Sequence, residues 1–225
     1  MKTVLITGAG RGIGFETVKH FLNDSQYLVL ATSRNTASLD QLNHSHLRII
    51  KGDLLDDYQK VLKEVLSYTD RIDILINNAA AILNKPMVET TNEEIYQVMQ
   101  TNFIVPYQLI RDLSQTLHSG AHIVNISSMS GFQGSKKFSG LSVYSASKAA
   151  LSALSECIAE EWRDKNIACN CLALGAVDTE MIRISIPGIN PVIKASRMAE
   201  YIFQFAKTGH QIYNGQVLPV TLATL

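Results

Sequence analysis

Tyr144 and Lys148 stand four residues apart in Tyr144-Ser145-Ala146-Ser147-Lys148, within a segment of helical period, so both side chains fall on one face. A phenol and an ammonium held together suit proton transfer to or from an oxygen. A phenol ionises near pH 10, and bringing it toward 7 takes about 4 kcal/mol of differential stabilisation, which a neighbouring cation provides by favouring phenolate. The pair alone is weak evidence, since eight tyrosines and twelve lysines in this chain give about 0.4 such pairs by chance. Position strengthens it. Ser128 follows the apolar run Ala121 to Ser127 just ahead of the helical segment, so a strand end and a helix face can bring Ser128 and Tyr144 together at one edge of a sheet.

A second chemical signal opens the chain. The apolar run from Thr3 leads into Thr7-Gly8-Ala9-Gly10-Arg11-Gly12-Ile13-Gly14, followed by a helix with Phe15, Val18, Phe21 and Leu22 on one side. Strand, glycines and helix form an anion cradle, because glycine lets the backbone approach a pyrophosphate and the helix start supplies N–H groups and a partial positive charge. The spacing is Gly-x-x-x-Gly-x-Gly rather than Gly-x-Gly-x-x-Gly. About twenty residues on, where an NAD site carries an acidic residue for the ribose hydroxyls, the second strand ends in Thr32-Ser33-Arg34. A carboxylate there would repel a 2'-phosphate, whereas Arg34 pairs with one and Arg11 offers a second cation. NADP(H) is therefore expected in preference to NAD(H).

The elements that must hold these groups alternate along the chain. Strands are predicted at Thr3 to Thr7, Tyr27 to Ser33, Leu47 to Lys51, Ile72 to Asn77, Ala121 to Ser127, Ile167 to Leu174 and Gln216 to Val220. Helices are predicted at Gly12 to Asn23, Leu54 to Tyr68, Asn92 to Leu117 with a break, Ser142 to Asp164 and Ala195 to Lys207. Near-continuous apolar strands such as Ile74-Leu75-Ile76 imply helices on both faces of a parallel sheet. The expected fold is α/β, a Rossmann-type doubly wound sheet of seven parallel strands, in one domain spanning 1–225. In the long helix, Ala150, Leu154, Cys157, Ile158 and Trp162 form the expected buried stripe. Glu180 to Ile193, with Pro187 and Pro191, shows no period and is expected to be a loop beside the site.

Composition narrows the partners. Twenty basic residues balance twenty acidic ones, so capture of nucleic acid or of an anionic membrane is not expected. The apolar start is too short for a signal peptide or a span, and a cytoplasmic protein is expected. Cys157, Cys169 and Cys171 are read as buried thiols. Cys-x-Cys without a nearby histidine has no zinc spacing, and His44 and His46 sit in a polar turn, so no metal is expected. Lys136 and Lys137 are read as a solvated loop.

In this order the motifs resemble the short-chain dehydrogenase/reductase family in its Tyr-x-x-x-Lys form, over nearly the whole chain. Thr7 to Gly14 resembles the cofactor loop, with Gly8, Gly10, Arg11, Gly12, Ile13 and Gly14 as ligands beside Ser33 and Arg34. Asp53-Leu54 resembles the adenine contact, and Asn77-Asn78-Ala79 the fourth-strand motif, with Asn78, Ala79 and Ala80 against the cofactor. Gly175 to Thr179, including Val177, resembles the turn at the nicotinamide carboxamide. Asn214 to Val220 is similar to the last strand. The resemblance implies hydride transfer at the nicotinamide and a catalytic set of Asn102, Ser128, Tyr144 and Lys148. Ser128 would hold the substrate oxygen, Tyr144 would exchange its proton, and Lys148 would also bind the nicotinamide ribose. The main-chain carbonyl of Asn102 would hold a relay water. Pro106, four residues later, has no N–H to return to that carbonyl, which leaves it free.

The implied activity is that of a carbonyl reductase or alcohol dehydrogenase on a small-molecule substrate, in a homodimer or homotetramer. An NAD(H)-linked dehydrogenase and a non-catalytic dinucleotide sensor or scaffold are the alternatives. Ala80 departs from the family's glycine and Leu174 from its proline. The Ser128–Tyr144 stretch is longer, the loop at about 180–194 shorter, and the chain ends at Leu225 without a glycine pair. These departures leave the substrate wall and the C-terminal edge, where family members commonly dimerise, less defined.

Overall fold

The computed structural model describes residues 1–186, 188 and 190–222. Strands β1 (Lys2–Ile6), β2 (Tyr27–Ser33), β3 (Leu47–Lys51), β4 (Ile72–Asn77), β5 (Leu117–Ser128), β6 (Ala168–Leu174) and β9 (Val217–Val220) form one parallel sheet. The order is β3-β2-β1-β4-β5-β6-β9. It reverses between β1 and β4, and a crevice opens at that switch point. Two short strands, β7 (Val177–Asp178) and β8 (Ile193–Lys194), pair separately. The intervening helices are α1 (Gly12–Leu22), α2 (Ala37–Asp40), α3 (Tyr58–Tyr68), α4 (Asn92–Met99), α5 (Val105–Asp112), α6 (Ser142–Glu161), α7 (Glu180–Ser185) and α8 (Ala195–Thr208).

Alternate side chains of the strands feed two cores. On one face Val4, Ile6, Val29 and Ile76 pack with Phe21 of α1 and Ile202 and Phe203 of α8. On the other, Leu5, Leu30, Ile50 and Leu75 pack with Val61 and Val65 of α3, Leu109 of α5 and Leu151 and Ile158 of α6. Burial on both faces explains why these strands lack polar alternation. Among the described residues no helix is long and apolar enough to cross a membrane, and no His/Cys/Asp/Glu cluster could hold a metal ion.

Five expectations change. The helix expected from Leu54 starts at Tyr58, because the Asp53 carboxylate accepts the Leu55 N–H at 2.8 Å and holds a turn ahead of it. The strand expected at Ala121 begins at Leu117, so the preceding helix ends earlier, at Asp112. The break expected within the helical stretch from Asn92 is there, as a wide turn over Gln100–Ile104 between α4 and α5, where the Val105 N–H reaches back five residues to Gln100. Pro106 removes one donor and its ring crowds the carbonyl four residues earlier, so the helix takes a π-type turn there.

The segment read as a loop contains α7, which Thr179 caps by accepting the Ile182 N–H at 3.3 Å, and β8, which pairs with Val177. Pro187 and Leu225 lie outside the described residues. Finally, of the stripe expected on α6, Leu154, Ile158 and Trp162 are buried, joined by Leu151, Ser155 and Ala159, whereas Ala150 is only half-buried and Cys157 is exposed; Cys169 and Cys171 are buried.

At the N-terminal end of the sheet, His122 is fully buried. Its Nδ1 donates to the Ala206 carbonyl at 3.0 Å, and Nε2, 3.0 Å from the Asn170 amide, accepts. Burial therefore holds the ring neutral and lowers its pKa to about 4. The neighbouring His210 is lowered for the same reason. A histidine depressed in the folded state binds its proton more readily once unfolded, so stability falls as pH drops through the 6.5-to-4 window. His122 alone should cost about 2 kcal/mol between pH 7 and 5. Thermal midpoints should fall over that range, and His122→Asn should flatten the slope; an unchanged slope would show that the ring is not the responsible group.

Candidate active site

The crevice is built on Thr7, the residue after β1. Its N–H donates to the Ile76 carbonyl at 3.1 Å, and its hydroxyl accepts the N–H groups of Asn78 and Ala79, each at 3.0 Å. The Asn78 amide in turn donates to the carbonyls of Thr7 at 3.0 Å and Gly8 at 3.1 Å. The side chain of Asn78 is thus a strut under the glycine loop. Gly8 has φ +65°, and a Cβ there would stand 2.7 Å from Ala79 Cα; a Cβ on Gly14 would strike the Gly8 carbonyl and the Asn78 amide. Arg11 precedes α1 with extended backbone, no side chain caps the helix, and its first turn has no acidic residue. The leading N–H groups and the helix dipole are left for an anion. These residues fit the diphosphate of a dinucleotide.

Both cations expected at its adenosine end have carboxylate partners. Arg34 Nη1 is 3.4 Å from Asp53 Oδ2, with the Arg34 side chain 70% exposed. Arg11 Nη1 is 2.8 Å from Glu180 Oε2. The Ser33 hydroxyl donates to the Asn35 carbonyl at 2.7 Å, and Leu54 lies half-buried in the turn ahead of α3. Across the crevice, the Gly175 N–H donates to Val220 at 2.9 Å, and Val177 is buried. The methyl of Thr179 lies 3.5 Å from where a Cβ on Gly12 would be. The expected carboxamide turn therefore faces the glycine loop.

The second group of residues meets where β5 ends against α6. Tyr144 and Lys148 are 8% and 2% exposed. Burial pushes the Tyr144 phenol pKa up, and hydrogen bonding with Ser128, the last residue of β5, opposes this more weakly by favouring the anion. Ser128 Oγ also accepts the Ser130 N–H at 3.2 Å. Lys148 Nζ donates to the Ile126 carbonyl at 2.8 Å and lies 6.0 Å from the Tyr144 ring centroid. Desolvation lowers its pKa to about 8, so it is still mostly cationic at neutral pH. The Lys148 carbonyl accepts Ser127 Oγ at 2.8 Å and Ser152 Oγ at 3.0 Å, which fixes the helix turn carrying the amine.

Asn102 lies in the wide turn with its side chain fully engaged. Its Oδ1 accepts the Ala81 N–H at 2.8 Å, and its Nδ2 donates to the Ala81 carbonyl at 2.8 Å and to Ser147 Oγ at 2.9 Å. The residue ties the irregular segment after β4, at Ala81, to α6, leaving only its main chain for chemistry. Lys137 donates to the Phe132 carbonyl at 2.6 Å and to Ser135 Oγ at 2.9 Å, within its own loop.

The structure thus brings Ser128, Tyr144 and Lys148 to one place and the glycine loop to another along one crevice. Sequence reasoning assigned no role to Ser127, Ser147, Ser152 or Glu180. The serines carry no motif of their own, although Ser152 stands one four-residue step beyond Lys148 on the face of α6 that carries Tyr144. Glu180 lies 169 residues from Arg11, and no spacing could signal that pairing.

Comparison with known proteins agrees with this architecture. The profile of the family described as short chain dehydrogenase matches residues 2–187. A fatty acyl-CoA reductase of Mycobacterium tuberculosis is 30% identical, over 92% of this chain and 74% of its own. A 3-oxoacyl-[acyl-carrier-protein] reductase of Chlamydia trachomatis is 29% identical, over 81% and 76%. Among solved structures, a short chain dehydrogenase from Burkholderia cenocepacia in complex with NADP aligns with TM-score 0.83 at 24% identity, covering 97% of this chain and 96% of that one. A 4-hydroxyisoleucine dehydrogenase complexed with NADH aligns equally well, at 0.83 and 23% identity over 98% and 97%. With its glycine cradle, its Ser-Tyr-Lys cluster and a family match across most of its length, the chain belongs to the short-chain dehydrogenase/reductase family and is an oxidoreductase of that family.

Proposed function

We propose that the chain is an NADP(H)-dependent carbonyl reductase or alcohol dehydrogenase in which Tyr144 is the general acid and base. The observation that carries this reading is the meeting of the half-buried Ser128 hydroxyl with the buried Tyr144 phenol and Lys148 ammonium, beside a cradle suited to a diphosphate. Bound cofactor would supply or accept the hydride at its nicotinamide. Ser128, beside the phenol, would hold the substrate oxygen, and Tyr144 would give that oxygen its proton during reduction. Burial alone opposes phenolate, so the role of Lys148 is to counter it: a cation in a site of low dielectric lowers the phenol pKa more strongly than it would in water. Ser127 and Ser152 keep the lysine in place for this. Relatives named as a 3-oxoacyl-[acyl-carrier-protein] reductase and a fatty acyl-CoA reductase support the reductive direction.

The cofactor preference rests on Arg34 and Arg11 and on Ser33, which stands where a carboxylate would exclude a 2'-phosphate. Both guanidiniums are mostly exposed, and such surface pairs are worth at most about 1 kcal/mol, so a phosphate dianion can displace the carboxylates. For the proton path, the wide turn at Gln100–Ile104 and the missing N–H of Pro106 support the Asn102 carbonyl as the acceptor that holds a relay water.

Titrating the protein with NADPH and NADH while following its thermal midpoint should give the larger shift with NADPH. Arg34→Ala should narrow that gap, and a larger shift with NADH would reverse the cofactor assignment. Tyr144→Phe should lower kcat about 100- to 10,000-fold while leaving NADPH affinity within a few-fold. Cofactor binding without turnover of any carbonyl, indifferent to this substitution, would instead mark a sensor. Pro106→Ala restores a donor opposite the Asn102 carbonyl and should slow kcat without weakening cofactor binding; an unaltered kcat would reduce the proline to a helix-shaping residue.

A further inference from the structure

The Arg11–Glu180 ion pair joins the two lips of the crevice. Arg11 sits at the start of α1 on the glycine-loop side, and Glu180 is the first residue of α7 on the opposite side. Their side chains are 59% and 58% exposed and 2.8 Å apart. The Thr179 side chain, 3.5 Å from where a Cβ on Gly12 would stand, places the same two segments against each other. Arg34 and Asp53 differ in this respect. They link the ends of the adjacent strands β2 and β3 on one wall, so exchanging that pair moves nothing across the crevice.

We propose that Glu180 is a cofactor-discriminating residue: it holds Arg11 until the 2'-phosphate of NADP(H) takes the guanidinium, so that α7 is tied to the glycine loop with NAD(H) and released from it with NADP(H). The proposal rests on the NADP(H) reading above. Its energetics follow from exposure. A pair this open to solvent contributes at most about 1 kcal/mol, whereas a dianionic phosphate offers the guanidinium a stronger, charge-assisted fork. The exchange matters because α7 has no buried residue of its own. Polar tethers hold it: the Thr179 cap at 3.3 Å, Arg183 to Asp178 at 2.7 Å, Asn84 Nδ2 to the Ser185 carbonyl at 2.8 Å, and Glu180 to Arg11. A segment whose apolar side chains are at most half-buried is at the low end of local stability, and loss of one of these four tethers makes its opening easier. The phosphate that selects the cofactor thereby sets the order of the wall beside the substrate.

The test uses the whole protein, calorimetric titration with NADPH and NADH at fixed salt, and amide hydrogen exchange of residues 180–186 in each saturated complex. Glu180→Gln should tighten NADPH about two- to five-fold, the equivalent of an exposed ion pair no longer in competition, and leave NADH unchanged. In the wild type, residues 180–186 should exchange faster with NADPH than with NADH, and the difference should vanish in Glu180→Gln. If the substitution weakens both cofactors alike, the pair is a strap over any dinucleotide and the proposal is wrong. If the wild type prefers NADPH yet Glu180→Gln changes neither affinity nor exchange, the switch alone falls. A wild type that prefers NADH removes the NADP(H) reading itself, and the switch with it.

Discussion

The seam between β1 and β4 is the contact on which the rest of the site depends. Strand order reverses there, so the loops that leave the two strands diverge and a crevice must open between them. Loops at such a point have no ladder partners, and their polar groups need others. Thr7 and Asn78 supply these: one hydroxyl receives two N–H groups, and one amide serves two carbonyls. The glycine loop is thus fixed from below before any ligand arrives, with its backbone pressed so close to Ala79 that a side chain at Gly8 has no room. Preorganisation of this kind leaves less ordering to be done on binding.

A second layer of polar groups lies under the reacting residues, inside the protein. Asn77 donates to Asn125 at 2.8 Å, and Asn125 to Ser155 at 2.9 Å, linking β4, β5 and α6. Ser127 and Ser152 converge on the Lys148 carbonyl. Asn102 stitches Ala81 to α6. Buried polar networks fix a single arrangement where apolar packing would tolerate several, although Asn77 leaves its own buried Oδ1 without a partner. Here they sit directly beneath the phenol and the ammonium, whose relative placement decides how far one cation can offset the burial of the other group.

Much of this was legible in the residues. The β strands were readable because burial on both faces produces unbroken apolar runs, and three of them, at Tyr27, Leu47 and Ile72, have the expected limits. The glycine loop and the Ser128–Tyr144–Lys148 cluster were readable because their chemistry restricts residue type. Tertiary contacts escaped. The helix beginning at Glu180 was masked by the prolines that follow it, and its cap, Thr179, reads alone as a turn residue. Cys157 belongs to the apolar pattern of α6 by residue type but falls just off the face that the sheet covers. Asn78, expected against the cofactor, spends its side chain on the loop beneath, a distinction that only the hydrogen-bond geometry makes. The pairing of Arg11 with Glu180 leaves no trace in either local sequence.

The wide turn at Gln100–Ile104 gives the path from α4 to α5 one residue more than a regular helix would use. Deleting a single residue there would let the two helices run on as one, with an unbroken hydrogen-bond ladder. Because each helical residue advances by about 100°, the same deletion would also turn everything on one side of it by that angle relative to the other. Asn102 would swing away from Ala81 and Ser147 while Leu109 and Ile110 kept their places in the core, or the reverse. The helix therefore has a length that is odd for packing and right for reach, and a lineage that lost the extra residue could keep its fold only by giving up the stitch between β4 and α6.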